Sequence, residues 1–236
     1  MIKLERTSVM NIENAIRGAR NPMNSWDKSD SFYGCYQGSD HSNQPTKCDK
    51  CLYNLECSYC GNDYILGEND LSLARRLVNA GSDHRKFLRQ IFVSVDITAP
   101  LYWWKEFDTY KVGTTANSCS TMHKIHAKAF DRNDFSHDRM DDGALATLDE
   151  IIVYLESERQ KFLADKTNRQ PWHNMIQTLP TSYNQMRTAT LTYENLLNQY
   201  HARKNHKLDE WHVYCDWIET LPYFIDICLG GESNGK

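Results

Sequence analysis

The chain has 236 residues, and its 27 basic and 31 acidic side chains give a formal net charge of −4. This negative balance, without a long run of Lys and Arg, argues against a general nucleic-acid-binding protein. No run of about 18 apolar residues is present, so we expect no membrane span. The first residues lack the apolar segment of a secretory signal, so we expect a cytoplasmic protein. At this length a single domain over 1–236 is the natural interpretation.

The first third of the chain is predicted to contain a short strand, a helix and a long polar insert. Ile2 and Leu4 suit a strand, and the apolar pattern over 12–19 suits a helix. Residues 27–69 are rich in Ser, Asp, Asn and Gly, and they contain five of the eight cysteines. We interpret 27–69 as a Cys-rich loop inserted within the domain.

The middle of the chain is expected to form the centre of the fold. Asp70 can cap the start of a helix, and Gly81 can end that helix. Apolar and polar residues alternate over 91–97, which predicts a half-buried strand. Pro100 suits the first turn of a helix, and we expect that helix to end at Gly113. Three aromatic residues fall on one face of it, namely Trp103, Phe107 and Tyr110.

The remainder of the chain, from 131 to 236, is predicted to be helical. Three stripes of mainly apolar residues at helical spacing indicate this, and Pro180 and Pro222 bound segments within it. The stripes are Leu145, Leu148, Ile152 and Leu155; Tyr193, Leu196, Leu197 and Tyr200; and Leu208, Trp211, Cys215 and Ile218.

Two CxxC pairs indicate a metal site within the insert. Four thiolates can bind one tetrahedral ion, and thiolates favour zinc or iron. A bound ion would fix a polar loop that has little core of its own. The five-residue gap between the pairs is short for a zinc ribbon, so Cys35 or His41 could replace one ligand, or the thiols could be free. The four cysteines are Cys48, Cys51, Cys57 and Cys60.

Residues 84–123 contain a run of motifs that resembles the flavin-dependent thymidylate synthases. That family has a histidine and a glutamate before a strand, an Ala-Pro at the following helix, an Arg-Gln pair and the motif RHRxxSxNExSxRY. The residues that stand at these positions here are His84, Arg89, Ala99-Pro100, Lys105-Glu106, Thr109-Tyr110-Lys111, Thr114 and, after one extra residue, the matching Asn117 and Ser120.

A second stretch supports the resemblance. Leu179-Pro180 matches a Leu-Pro of the family, and Thr192-x-Glu194-x-Leu196 follows where the family has N-x-R-x-L. Arg203 then falls where the family has an arginine that holds the nucleotide. His206 and Glu210 resemble the following H-A-Q-x-E segment, with a shifted spacing.

The resemblance implies an α+β fold of the thymidylate synthase-complementing type, in which an antiparallel or mixed sheet packs with long helices. It implies a homotetrameric flavin-dependent methyltransferase that transfers a one-carbon unit to C5 of a pyrimidine deoxynucleotide, dUMP. FAD, NADPH and methylenetetrahydrofolate are the cofactors and co-substrates. Catalysis in this family rests on cofactor placement and on polarisation of the pyrimidine, because no protein side chain forms a covalent bond to the substrate.

The resemblance also assigns roles to individual residues. It places the nucleotide against Lys105, Glu106, Ser118, Ser120 and Arg203. It places the cofactor against His84, Arg89, Tyr110, Lys111, Asn117 and Thr192, and the reacting centre at Lys111, Thr114 and Ser120.

Three kinds of function remain open from the sequence. The first is a catalytic relative of this family, and the second is a non-catalytic relative that keeps the fold and a nucleotide pocket. The third is a metal-stapled interaction protein that uses the Cys-rich loop as its binding surface.

Overall fold

The computed structural model describes residues 2–34 and 63–230 and divides the chain into two compact units. Unit 1 comprises Met1–Ser8, Val93–Leu191 and Gln199–Trp217, and unit 2 comprises Val9–Phe92, Thr192–Asn198 and Ile218–Lys236. The strands are β1 (Lys3–Met10), β2 (Phe32–Gly34), β3 (Asp63–Ile65), β4 (Phe92–Pro100), β5 (Thr115–Ser118) and β6 (Asn184–Thr192). The helices are α1 (Ile12–Arg20), α2 (Glu68–Asn79), α3 (Leu101–Phe107), α4 (Thr121–Lys124), α5 (Asp142–Ala164), α6 (Gln170–Thr178), α7 (Tyr193–Arg203), α8 (Asp209–Glu219) and α9 (Phe224–Cys228).

Almost all of the four-stranded sheet, in the order β1-β4-β6-β5, lies in unit 1. The predicted alternation of β4 is confirmed, because the side chains at 93, 95, 97 and 99 are buried and those between them are more exposed. β5 pairs antiparallel with β6. Thr188 hydrogen-bonds Asp96 and Thr190 hydrogen-bonds Ser94, contacts that run in opposite chain directions. An antiparallel sheet combined with many helices is therefore confirmed.

The prediction of helix throughout 131–236 is wrong for β6. Threonines at 188, 190 and 192 alternate with Ala189 and Leu191, and both of these apolar side chains are fully buried. β-branched residues at a period of two favour a strand. The short length of this alternating pattern, between two strongly helical stretches, hid it in the sequence.

The prediction that α3 continues to Gly113 is also wrong, since the helix ends at Phe107. The Thr109 side chain donates a hydrogen bond to the Glu106 carbonyl, 2.7 Å away, and so competes with continued helical bonding. Trp103 and Phe107 are buried as expected, whereas Tyr110 lies beyond the helix and is half-buried.

An aromatic core joins α3 to α8 within unit 1. Trp103 and Trp211 are fully buried, and their ring centroids lie 4.7 Å apart. Tyr214 packs edge-on against Trp103 at 5.5 Å. This packing fixes the position of Trp211, whose indole N–H faces the site described below.

A second core in unit 1 lies between α5 and α6. The predicted apolar stripe of α5 is confirmed, because Leu148 and Leu155 are buried against Met175 of α6. Asp141 caps the start of α5 by accepting a hydrogen bond from the Ala144 N–H.

Unit 2 contains α1, α2, α9 and the hairpin β2–β3. α2 ends as predicted, at Asn79, and Gly81 follows in the left-handed region with φ of 100°. Asp70 does not cap α2, because the N-cap residue is Gly67 and Asp70 lies buried in the first turn.

The buried carboxylate of Asp70 organises one side of unit 2. It accepts hydrogen bonds from Arg20 Nε, from Ser29 Oγ at 2.7 Å and from Ser31 Oγ. Burial alone would raise the pKa of Asp70, but the bonds from Ser31, Ser29 and Arg20 outweigh it and lower the pKa below the usual 3.8. Asp70 therefore ties α1 and the segment 29–31, which leads into β2, to the first turn of α2.

The predicted metal site lies outside the described residues and stays a prediction, as do the single domain and its insert. Within 2–34 and 63–230, no group of three or more potential metal ligands occurs. No helix in this part of the chain is long and apolar enough to cross a membrane. The residues of the predicted site that fall outside these ranges are Cys48, Cys51, Cys57 and Cys60, with the alternatives Cys35 and His41.

Candidate nucleotide site

Arg203 contacts Glu106 at the end of α3, 97 residues away in the chain, and Tyr110 just beyond that helix. Its Nη1 donates a hydrogen bond to Glu106 Oε2 at 2.9 Å, and its Nε donates to the Tyr110 hydroxyl at 2.8 Å. Arg203 lies at the end of α7, and 17% of its side chain is exposed. Of the 105–120 stretch that is expected to share a site with Arg203, Glu106 and Tyr110 contact it, within unit 1.

Two further side chains complete what we call the Arg203 cluster: Glu106, Tyr110, Arg203, His206 and Trp211. Trp211 Nε1 donates to Glu106 Oε2 at 2.8 Å, and the Arg203 guanidinium lies 4.7 Å from the Trp211 ring centroid. His206 Nδ1 accepts the Leu208 N–H, so in the neutral ring the proton lies on Nε2, which is 3.4 Å from the same carboxylate oxygen.

Within the cluster, Arg203, the cation that the resemblance assigns to the nucleotide, forms an ion pair with Glu106. Glu106 stands where the family has a neutral glutamine, and a glutamine could not form this ion pair. A phosphate that bound Arg203 would therefore have to displace Glu106 or share the guanidinium with it. A bidentate guanidinium fork suits a phosphate and a carboxylate equally, which makes this exchange chemically reasonable.

The other residues assigned to the nucleotide and the reacting centre lie at the surface of unit 1. Lys105 and Lys111 are exposed, and no partner of their ammonium groups is seen among the described residues. Asn117 and Ser118 lie on β5, an edge strand that is exposed along its whole length, opposite Thr188 and Arg187.

Thr114 and Ser120 differ in how their hydroxyl groups are used. Thr114 Oγ1 is buried and has no hydrogen-bond partner within the described part of the chain. Ser120 caps α4, because its Oγ accepts the His123 N–H and lies 2.7 Å from His123 Nδ1. Ser120 thus already holds a local structure, whereas the Thr114 hydroxyl still lacks a partner.

The residues assigned to the cofactor belong to both units. In unit 2, His84 lines an open cavity of about 560 Å³ with Lys86 and Gln90. Gly18 and Ala19 of α1 form the opposite wall, where the Gln90 side chain packs close to Gly18. Arg89 is exposed and donates to the Ser82 carbonyl.

The other residues assigned to the cofactor are Thr192, in unit 2, and Tyr110, Lys111 and Asn117, in unit 1. Thr192 is buried, and its hydroxyl donates to Asn195 Oδ1 at 2.7 Å. Tyr110 is part of the Arg203 cluster.

An ion pair of Arg85 with Glu194 was not foreseen from the sequence. Arg85 Nε lies 3.0 Å from Glu194 Oε2, and Arg85 Nη2 donates to Asn198 at 3.1 Å. The family has an arginine where Glu194 stands. The reversed charge of Glu194, considered together with the basic run at 84–89, is the signal that could have indicated this pair.

The comparisons with known proteins identify the fold. The sequence matches no protein-family model and no curated protein. The fold is similar to that of the flavin-dependent thymidylate synthases. The ThyX enzyme of Helicobacter pylori, solved with FAD and dUMP, matches with a TM-score of 0.60 and 14% identity over 96% of both chains. A second structure of that enzyme with the same ligands gives 0.60 and 14% over 97% of both chains.

Proposed function

We propose that the chain is a thymidylate synthase-like flavoprotein that binds dUMP and transfers a one-carbon unit to C5 of the pyrimidine. The observation that carries the proposal is the meeting of Arg203 with the 106–110 segment, on a fold whose solved neighbours hold FAD and dUMP. The resemblance of the sequence and the similarity of the fold both support the assignment.

The Arg203 cluster supplies the groups that a nucleotide monophosphate needs. The guanidinium of Arg203 would bind the phosphate, and Tyr110 and Trp211 provide aromatic surfaces beside it. Thr114, with its unpartnered buried hydroxyl, would serve as a further hydrogen-bonding group. Lys111 and Ser120 remain the proposed residues of the reacting centre, together with Thr114.

The cavity of unit 2 fits part of a dinucleotide cofactor. Its volume of about 560 Å³ is in the usual range of ligand pockets, and His84 and Lys86 are donors suited to a pyrophosphate. When bound, FAD supplies the hydride chemistry. His84 and Lys86 would hold the cofactor's anionic part, while Arg85 is already paired with Glu194. NADPH, methylenetetrahydrofolate, a homotetramer and a cytoplasmic location belong to the proposal through the resemblance alone.

The test is the absorbance spectrum of the purified protein with and without added FAD, followed by NADPH oxidation with dUMP and methylenetetrahydrofolate. We expect the spectrum of a bound flavin. We also expect NADPH oxidation that depends on dUMP, since the proposed hydride transfer requires bound FAD and bound dUMP. A colourless protein that ignores FAD and every pyrimidine nucleotide would contradict the proposal.

A second candidate is a non-catalytic nucleotide-binding protein with the same fold. The Arg203–Glu106 and Arg85–Glu194 ion pairs favour it, because each engages a cation with a carboxylate of the same chain. Its distinguishing result is thermal stabilisation by dUMP without any NADPH oxidation. The metal-stapled interaction protein stays a prediction, because its cysteines lie outside the described residues.

A further inference from the structure

Unit 1 contains an open cavity of about 600 Å³ that shares no residue with the Arg203 cluster. It lies beside α4, the last turn of α5 and the start of α6. Its size is in the range that holds a small organic ligand. Its principal lining residues are His123, His126, Phe162, Lys166, Arg169 and Trp172.

The charge of this cavity favours an anion. Lys166 and Arg169 form no ion pair with any residue in 2–34 and 63–230, and no carboxylate from these ranges lines the cavity. By contrast, two arginines of unit 1 are paired, Arg159 with Glu156 and Arg187 with Asp108. Two unpaired cations on one wall create a positive field that attracts a negatively charged group.

The apolar walls of the cavity are held in place. Trp172 Nε1 donates to the Met122 carbonyl at 3.0 Å, which fixes the indole. Phe162 packs edge-on against the His126 ring, with their centroids 5.0 Å apart. Such half-buried aromatic surfaces bind planar rings well.

His126 adds an unmet hydrogen-bonding requirement. Its Nδ1 is buried and has no partner in the described part of the chain. Buried polar atoms almost always have a partner, and since His126 also lines the cavity, a rotation of its ring would let a bound ligand supply one. This observation is independent of the charge and of the aromatic walls.

We propose that the cavity binds an anionic aromatic ligand. The planar ring packs against Trp172 and Phe162, and a phosphate or carboxylate group binds Lys166 and Arg169. Nucleoside monophosphates and folates both have this chemistry. The site goes beyond the proposed function, because Phe162, Lys166, Arg169 and Trp172 are not among the residues assigned to the nucleotide, the cofactor or the reacting centre, although His123 at its edge contacts Ser120.

Isothermal titration of the full chain with dUMP and, separately, with 5-formyltetrahydrofolate tests the inference and distinguishes the two sources. We expect Lys166→Gln and Arg169→Gln each to lower the affinity for one of these two ligands about tenfold, because each substitution removes a charge-assisted hydrogen bond. Both residues are exposed, so the variants should fold normally. Lys124→Gln is the matched control, since Lys124 is an exposed lysine on α4 that does not line the cavity.

Arg203→Gln separates this site from the Arg203 cluster. A ligand of the cavity keeps its affinity in Arg203→Gln and loses it in the two cavity variants. The inference is wrong if neither ligand binds, or if both ligands bind Lys166→Gln and Arg169→Gln as they bind the wild type. It is equally wrong if binding is lost only in Arg203→Gln.

Discussion

Replacing Asp70 with alanine is expected to lower the free energy of unfolding by about 3–5 kcal/mol. Asp70 is 1% exposed and Arg20 is 3% exposed, so the substitution leaves a buried guanidinium without its carboxylate. Ser29 and Ser31 lose their acceptor at the same time. Arg20 Nη2 already lacks a partner among the described residues, which leaves little scope for compensation. Chemical denaturation measures the effect.

Asp27→Ala is the matched control, because Asp27 is an exposed aspartate and its loss should change stability by less than about 0.5 kcal/mol. Folding lowers the pKa of Asp70, so its stabilisation is complete above the ordinary pKa of 3.8 and is lost as the pH falls through the folded-state value. The difference between wild type and Asp70→Ala should therefore shrink in acid. A loss under about 1 kcal/mol at neutral pH would contradict this account of unit 2.

Replacing Arg203 with glutamine is expected to weaken dUMP binding by about 10- to 150-fold. This range corresponds to one or two charge-assisted hydrogen bonds to the phosphate, together about 1.5–3 kcal/mol. The guanidinium is held in position by Tyr110 and by the face of Trp211, so a neutral amide cannot replace it. Titration calorimetry with dUMP gives the affinity directly.

Lys204→Gln controls for the loss of one positive charge at the end of α7. Lys204 is exposed and lies next to Arg203, but it makes no contact with Glu106 or Tyr110. The affinity of the Lys204→Gln variant for dUMP should stay within about twofold of that of the wild type. Equal losses in both variants would show that Arg203 contributes only general charge and does not bind the phosphate.

Local sequence patterns were sufficient for the elements that bury one clear face. The stripe containing Leu148 and Leu155 predicted α5, and the alternation over 91–97 predicted most of β4. Patterns failed where individual hydrogen bonds, local or distant, decide the outcome. The extent of α3 depends on how Thr109 bonds the preceding turn, and the position of Asp70 depends on Arg20, which is 50 residues away.

The sequence indicated which stretches of the chain to expect in the candidate site, but it did not indicate the ion pair within that site. Arg203 contacts Glu106 and Tyr110 of the expected 105–120 stretch, while its role in binding the nucleotide stays a prediction. The sequence did not show that Glu106 would engage it, because an ion pair between residues 97 apart depends on the folded geometry. Trp211 was assigned to a helical core stripe, and it both fills the core and donates to Glu106.

The most direct measurement of the central claim is the dUMP affinity of Glu106→Gln against the wild type. This substitution places at position 106 the glutamine that the resembling family has, and it removes the carboxylate that competes for Arg203. The ion pair is partly exposed and worth about 1 kcal/mol, so affinity should rise about fivefold. Unchanged or weaker binding in Glu106→Gln would contradict the claim that Arg203 is the phosphate-binding cation.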